Sequence, residues 1–175
     1  MKNLLASAAF ILYTVFTFAL PSGYSTVTLG MSVEDTKNAL KKDSQFGYRG
    51  DRDVSLSPVT KETLIETDSR YAPYSFLERC WFQFEEEKLY IITLNLDQKK
   101  LDHYSVFSSL CKKYGNPDEI SPQKSVWKND SVIMSLERPL TLKYIDAKVF
   151  NGKLDKSSVD KTYAEKSRDE FLNGL

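Results

Sequence analysis

The spacing of apolar and polar positions changes repeatedly along the chain. Leu4 to Leu20 is an apolar run without a charge, closed by Pro21 and Gly23. From Ser32 the spacing turns helical. Val33, Thr36 and Leu40, with Ala39 beside them, form a stripe at three- and four-residue intervals, which predicts a helix. Ser32 is its expected cap, and Asp35 three residues on completes a capping-box pattern. The helix is expected to fail by Phe46-Gly47. Alternation then takes over in DVSLSPV and ETLIETD, the signature of short exposed or edge strands. The strongest strand signal is ERCWFQFEEEKLYIITLNLD. Cys80, Phe82 and Phe84 alternate with Trp81 and Gln83, and EEEK predicts a hairpin turn. It lacks the glycine of a tight two-residue connection, so a longer loop is expected.

A second helical stripe, Val106, Phe107, Leu110, Cys111 and Tyr114, follows a possible cap at Asp102. Gly115 and Pro117 end it, Gly115 by a left-handed turn. SVW, SVIMSLE and LTLKYID then read as strands, and Asn151-Gly152 as a turn. Ser157 to Leu172 is charged throughout and reads as a solvated helix or tail.

The two halves share a plan of cap, helix, aromatic-glycine exit and tryptophan-led strands: Ser32, Phe46-Gly47 and Trp81 in one, Asp102, Tyr114-Gly115 and Trp127 in the other. Amphipathic helices and half-buried strands need mutual cover. The expected class is therefore α+β, two helix-plus-antiparallel-sheet units (about 27–97 and 102–150) with helices packed on one face of the sheet. They form a single domain over 26–156, followed by a charged segment, 157–175.

Composition adds an address. A basic MKN start, an apolar core, a breaker and small residues make a secretory signal, expected over residues 1–25. Cleavage after Ala19 or after Ser25 would satisfy the small-x-small requirement. The run also borders on the length of a membrane span, so contact with a membrane is expected only if it stays uncleaved. The expected location is periplasmic or secreted. Formal charge is +0, from 24 basic and 24 acidic residues. That balance provides no electrostatic case for nucleic acid.

Within this frame, LGMSVEDTKNAL resembles the Gly-Met-Ser/Thr helix opening of BamE (SmpA/OmlA)-type envelope proteins, and YGNP with a following tryptophan is similar to their helix exit. Two helix-and-sheet units in one chain also resemble the beta-lactamase inhibitor protein architecture. The lipid-accepting cysteine of the lipoproteins is absent from this sequence. The resemblance implies an enzymatically silent protein-binding module in the cell envelope.

Few residues offer chemistry. His103 is the one histidine, so any serine or cysteine nucleophile would depend on it; the plainer reading is a partly exposed first-turn residue. No zinc spacing and no glycine-rich phosphate loop occur, and no cofactor or metal is expected. Glu85-Glu86-Glu87 reads as a solvated tip. Asp51 and Asp53 have the gap of a calcium loop without its further ligands. Arg49-Gly50-Asp51 resembles an integrin-binding tripeptide, but the plainer reading of the same residues is a charged turn. Cys80 and Cys111 are a candidate disulfide in an exported chain, the alternative being two buried free thiols. The expected function is non-enzymatic binding of an envelope or extracellular protein, as an accessory or inhibitor-like factor. Tyr71, Tyr74, Trp81 and Trp127 are the candidate anchors. The alternative is a small-molecule or lipid carrier with an aromatic-lined sheet face.

Overall fold

A computed structural model describes residues 19–50, 53–57, 62–68, 72–159, 168 and 170–174, without the side chains of 53–57, 62 and 156–159. The protein is α+β. Among the described residues, an eight-stranded antiparallel sheet and a two-stranded ribbon are accompanied by three helices of ten residues or more. The ribbon pairs β1 (Gly23–Tyr24) with β2 (Val27–Thr28). Helix α1 (Val33–Lys42) follows, then a 3-10 turn, Ser44–Phe46. Strands β3 (Asp53–Ser57), β4 (Glu62–Asp68), β5 (Leu77–Glu85) and β6 (Lys88–Leu96) form a meander. Helix α2 (His103–Tyr114) leads into a second meander, β7 (Glu119–Ile120), β8 (Lys124–Lys128), β9 (Val132–Glu137) and β10 (Thr141–Asp146). Helix α3 (Ala147–Val159) comes last of these elements. The spatial order is β3-β4-β5-β6-β10-β9-β8-β7, so the final strands of the two meanders pair at the centre.

Alternation explains which sheet face is buried. Ile65, Phe82, Ile92, Tyr144, Met134 and Trp127 lie across the strands in register and belong to one core. Leu40 of α1 and Leu110 of α2 are buried in the same cluster, with Val106, Phe107, Cys111 and Tyr114 packed against it. Phe46 stacks edge-on against Phe82, their centroids 5.6 Å apart. The helical stripes read from the sequence are thus the covering surfaces.

The helix ends follow local chemistry. Ser32 Oγ accepts from the Asp35 backbone N–H at 3.1 Å, and Asp102 Oδ1 from that of Ser105 at 2.9 Å. Asp35, shorter than the usual glutamate, accepts from the Ser32 hydroxyl at 2.7 Å. Gly115 ends α2 with its N–H donating to the Cys111 carbonyl, at φ 80° and ψ −173°. This is an extended, mirror-image conformation that only glycine adopts readily, not the left-handed helical one expected.

Two further expectations are corrected. The β5–β6 connection has two residues, not a longer loop. Glu86 and Glu87 take φ 48° and 64°, supplying without glycine the positive φ values of a tight hairpin. Asn151-Gly152 is no turn, because α3 runs through it. Asp146 Oδ1 accepts from the N–H groups of Lys148 and Val149 to start that helix, and Ala147 is buried. Lys153 pairs with Glu85 and lies over the Tyr90 ring. These contacts hold α3 against the neighbouring strands despite the weak helix formers at 151 and 152.

Candidate functional site

Strand residues that alternate with the core form the sheet's other face. Ile91, Ile133, Ile145 and Val126 make its aliphatic floor, with Thr93 and Ser135 between them. Ala147, Phe150 and Asn151 of α3 wall one side of a concavity of about 580 Å³. Two ion pairs bracket this floor. Lys143 Nζ donates to Glu137 Oε2 at 2.6 Å, and Lys128 Nζ to Glu119 Oε1 at 2.6 Å. The Lys128 hydrogen bond holds the Glu119 carboxyl below its ordinary range, and Glu119 in turn raises Lys128.

The expected anchors are distributed unevenly. Tyr74 is 95% exposed, on the loop before β5, with Phe76 53% exposed beside it. Lys100 Nζ donates to the carbonyls of Pro73 at 3.0 Å and Ser75 at 2.6 Å, pinning that loop from the far end of β6. Trp81 is half-buried on the open face, opposite Thr93. Trp127 is corrected from anchor to core: it is 1% exposed, its indole packs beside Phe107, and its N–H donates to Gly115. Tyr71 and Asp51 lie outside the described residues.

Cys80 and Cys111 are free thiols, not a disulfide. Cys80 faces the core from β5, hydrogen-bonded to Thr67, and Cys111 packs on the same core from α2. Burial pushes the Cys80 thiol up to about 12 and raises Cys111 as well, the opposite of an activated nucleophile. Among the described residues no three His, Cys, Asp or Glu side chains are grouped to hold a metal ion. Nor, among them, is any helix long and apolar enough to cross a membrane.

Sequence reasoning missed the bracketed floor. Its signal was present in SVIMSLE and LTLKYID, where Ile133, Ser135 and Glu137, then Lys143 and Ile145, occupy the alternate positions. Phe150 was hidden because Asn151-Gly152 reads as a stop.

Fold and surface together define an α+β protein built on a mixed-polarity antiparallel sheet, one face packed under α1 and α2 and the other carrying α3 beside the concavity. The chain belongs to the TP0088 domain family, whose model matches residues 22–156. No curated protein and no solved structure matches it.

Proposed function

We propose that this is an exported, non-enzymatic protein-binding module of the cell envelope, accessory or inhibitor-like, working in the periplasm or as a secreted protein. The observation that carries the reading is the open sheet face, where an aliphatic floor lies between the Lys143–Glu137 and Lys128–Glu119 pairs. Interfaces of this kind join an apolar centre to a polar rim. Tyr74 and Phe76, exposed on their pinned loop, add the aromatic anchors that such contacts favour. A carrier would need an enclosed chamber under the sheet. Trp127, Phe82, Phe84 and Met134 fill that side instead.

The reading includes two units of common plan, α1 with β3–β6 and α2 with β7–β10, each unit helix on the packed face. The central β6–β10 pairing supports this, because it joins equivalent strands in antiparallel sense. The likeness to BamE-type proteins and to the beta-lactamase inhibitor protein architecture is part of the same proposal.

The test is in-cell photo-crosslinking from Ile133 on the floor and from Tyr74, with Asn38 on α1 as the control position. One envelope or extracellular protein captured at Ile133 or Tyr74, and not at Asn38, is expected. Capture of lipid alone, or of nothing, would overturn the module.

A further inference from the structure

Ile91, Ile145 and Ile133 stand in direct register on β6, β10 and β9, side by side on the open face. At strand spacings of ~4.8 Å they make an apolar row about 10 Å long. In the same register Gln83 closes one end and Lys128 the other. Phe150 of α3 borders the row, yet all three isoleucines are only half-buried, so α3 leaves it partly open. A row this short spans about two turns of a helix at 5.4 Å each. It suits the apolar side chains of a single turn rather than the stripe of a long amphipathic helix.

Such a turn exists in the same chain. α3 brings the backbone to this face and ends at Val159. Residues 168 and 170–173 are helical again. There Phe171 is 69% and Leu172 51% exposed, with Arg168 and Glu170 exposed beside them. Two large apolar neighbours exposed together on a charged turn form a knob, and removing it from water is favourable. Eleven residues separate Val159 from Phe171, a reach of ~16 Å even at the short rise of a helix.

We propose that two copies of this chain pair by exchange, the Phe171–Leu172 turn of each seated on the isoleucine row of the other. Size and charge select this occupant. The pair matches a row of three isoleucines, and a turn bearing Arg168 and Glu170 meets a border that also carries both signs, Lys128–Glu119 and Lys143–Glu137. Each copy has one such turn and one row, so a two-fold pair uses all four and closes. A seating buries about 300 Å² of phenylalanine and leucine and a comparable area of floor and wall; two seatings reach the ~1,200 Å² of a small stable interface. Exchange covers the floor that an outside partner would use, and so sets self-association against that binding. It rests on the floor being a protein-contact surface; capture of a foreign protein from Ile133 tests that reading whether or not copies pair.

Sedimentation equilibrium of the purified protein is expected to show a reversible dimer. Phe171→Asp and Ile133→Asn should each weaken it at least about a hundredfold, because both seats are lost at about tenfold apiece. A mixture of the two variants keeps one intact turn facing one intact row. It should recover dimer to within about tenfold of the unaltered protein. Phe171 is exposed, so Phe171→Asp leaves the fold intact and carries the test if Ile133→Asn fails to fold. A photoreactive phenylalanine analogue at position 171, in a mixture of isotopically heavy and light copies, should bond between copies to β9 or β10. A monomer at every concentration, a dimer indifferent to Phe171→Asp, a mixture of folded variants that stays monomeric, or bonds confined to one chain would each overturn the exchange.

Discussion

The Trp127 indole nitrogen donates a 2.9 Å hydrogen bond to the Gly115 carbonyl oxygen, tying the end of α2 to the middle of β8. The ring packs against Phe107 of that helix with centroids 6.2 Å apart. One side chain therefore fixes both the exit of the helix and its seat on the sheet. Trp127→Phe keeps most of the packing but leaves a carbonyl without its donor, and should cost about 1–3 kcal/mol. Trp127→Ala should cost about 3–5 kcal/mol by opening a cavity in the same place. Urea unfolding followed by circular dichroism separates them. Equal small losses would mean that the indole is not a structural link.

Glu86 and Glu87 turn β5 into β6 with two left-handed residues that are not glycine. The conformation costs an L-residue roughly 1–2 kcal/mol at each position. Glu87→Gly, at φ 64°, should therefore stabilise the protein by about 1 kcal/mol, after allowing for the greater freedom of glycine in the unfolded chain. Thermal melting tests it. A lower melting temperature would show that the Glu87 side chain contributes more than its backbone conformation loses.

That turn also shows where sequence patterns stop. Alternation through Cys80, Phe82 and Phe84 locates β5, and the run from Leu89 to Leu96 locates β6, because burial on one face imposes a two-residue period. The turn between them was misjudged because strand pairing on both sides holds two glutamates in a conformation their local preference resists. Asn151-Gly152 fails for a similar reason. Phe150 and Lys153 are positioned by contacts with distant strands, and tertiary contact outweighs local propensity. The open face was half-legible. Ile133, Ser135 and Glu137 announce an alternating strand, but the pairing of Glu137 with Lys143 depends on β9–β10 register. Trp127 was ambiguous because an aromatic in an alternating strand can face either way, and only the register against Met134 decides.

The thiols make a pH-dependent prediction. Burial pushes Cys80 up to about 12 and raises Tyr144 and Tyr24 above their ordinary range. In the unfolded chain the thiol ionises near pH ~8.5 and the phenols near ~10. Below those values both states are neutral and stability is complete. As pH rises through them, the unfolded chain loses protons that the folded one keeps, so stability falls until Cys80 itself ionises. Unfolding free energy should decline from about pH 9 upward, and Cys80→Ala should flatten part of that slope. A thiol-reactive disulfide reagent at pH 8 should leave Cys80 untouched in the folded protein. Unfolding without reductant should release both thiols of each chain. Finding neither would restore the disulfide.

The two cleavage points of the proposed signal have unequal structural consequences. Cleavage after Ser25 removes β1 and with it the Tyr24 ring, which packs edge-on against Phe46 at 6.1 Å. Also lost are the Tyr24 hydroxyl's bond to Gln45, the Ser25 hydroxyl's 2.6 Å bond to Asp43 and the packing of Leu20 on the core. Phe46, now 1% exposed, would lose its outer cover. Gly23 is fitted to this ribbon, since a Cβ there would lie 2.1 Å from the Val27 carbonyl oxygen. Cleavage after Ala19 keeps all of it. Under the proposed export with signal cleavage, the mature protein should therefore begin at Leu20, and amino-terminal sequencing should read LPSGY. A chain begun at Thr26 should be less stable by roughly 2–4 kcal/mol, from the lost tyrosine and leucine contacts. A mature protein beginning TVTLG, with undiminished stability, would refute both the assigned start and the structural role of β1.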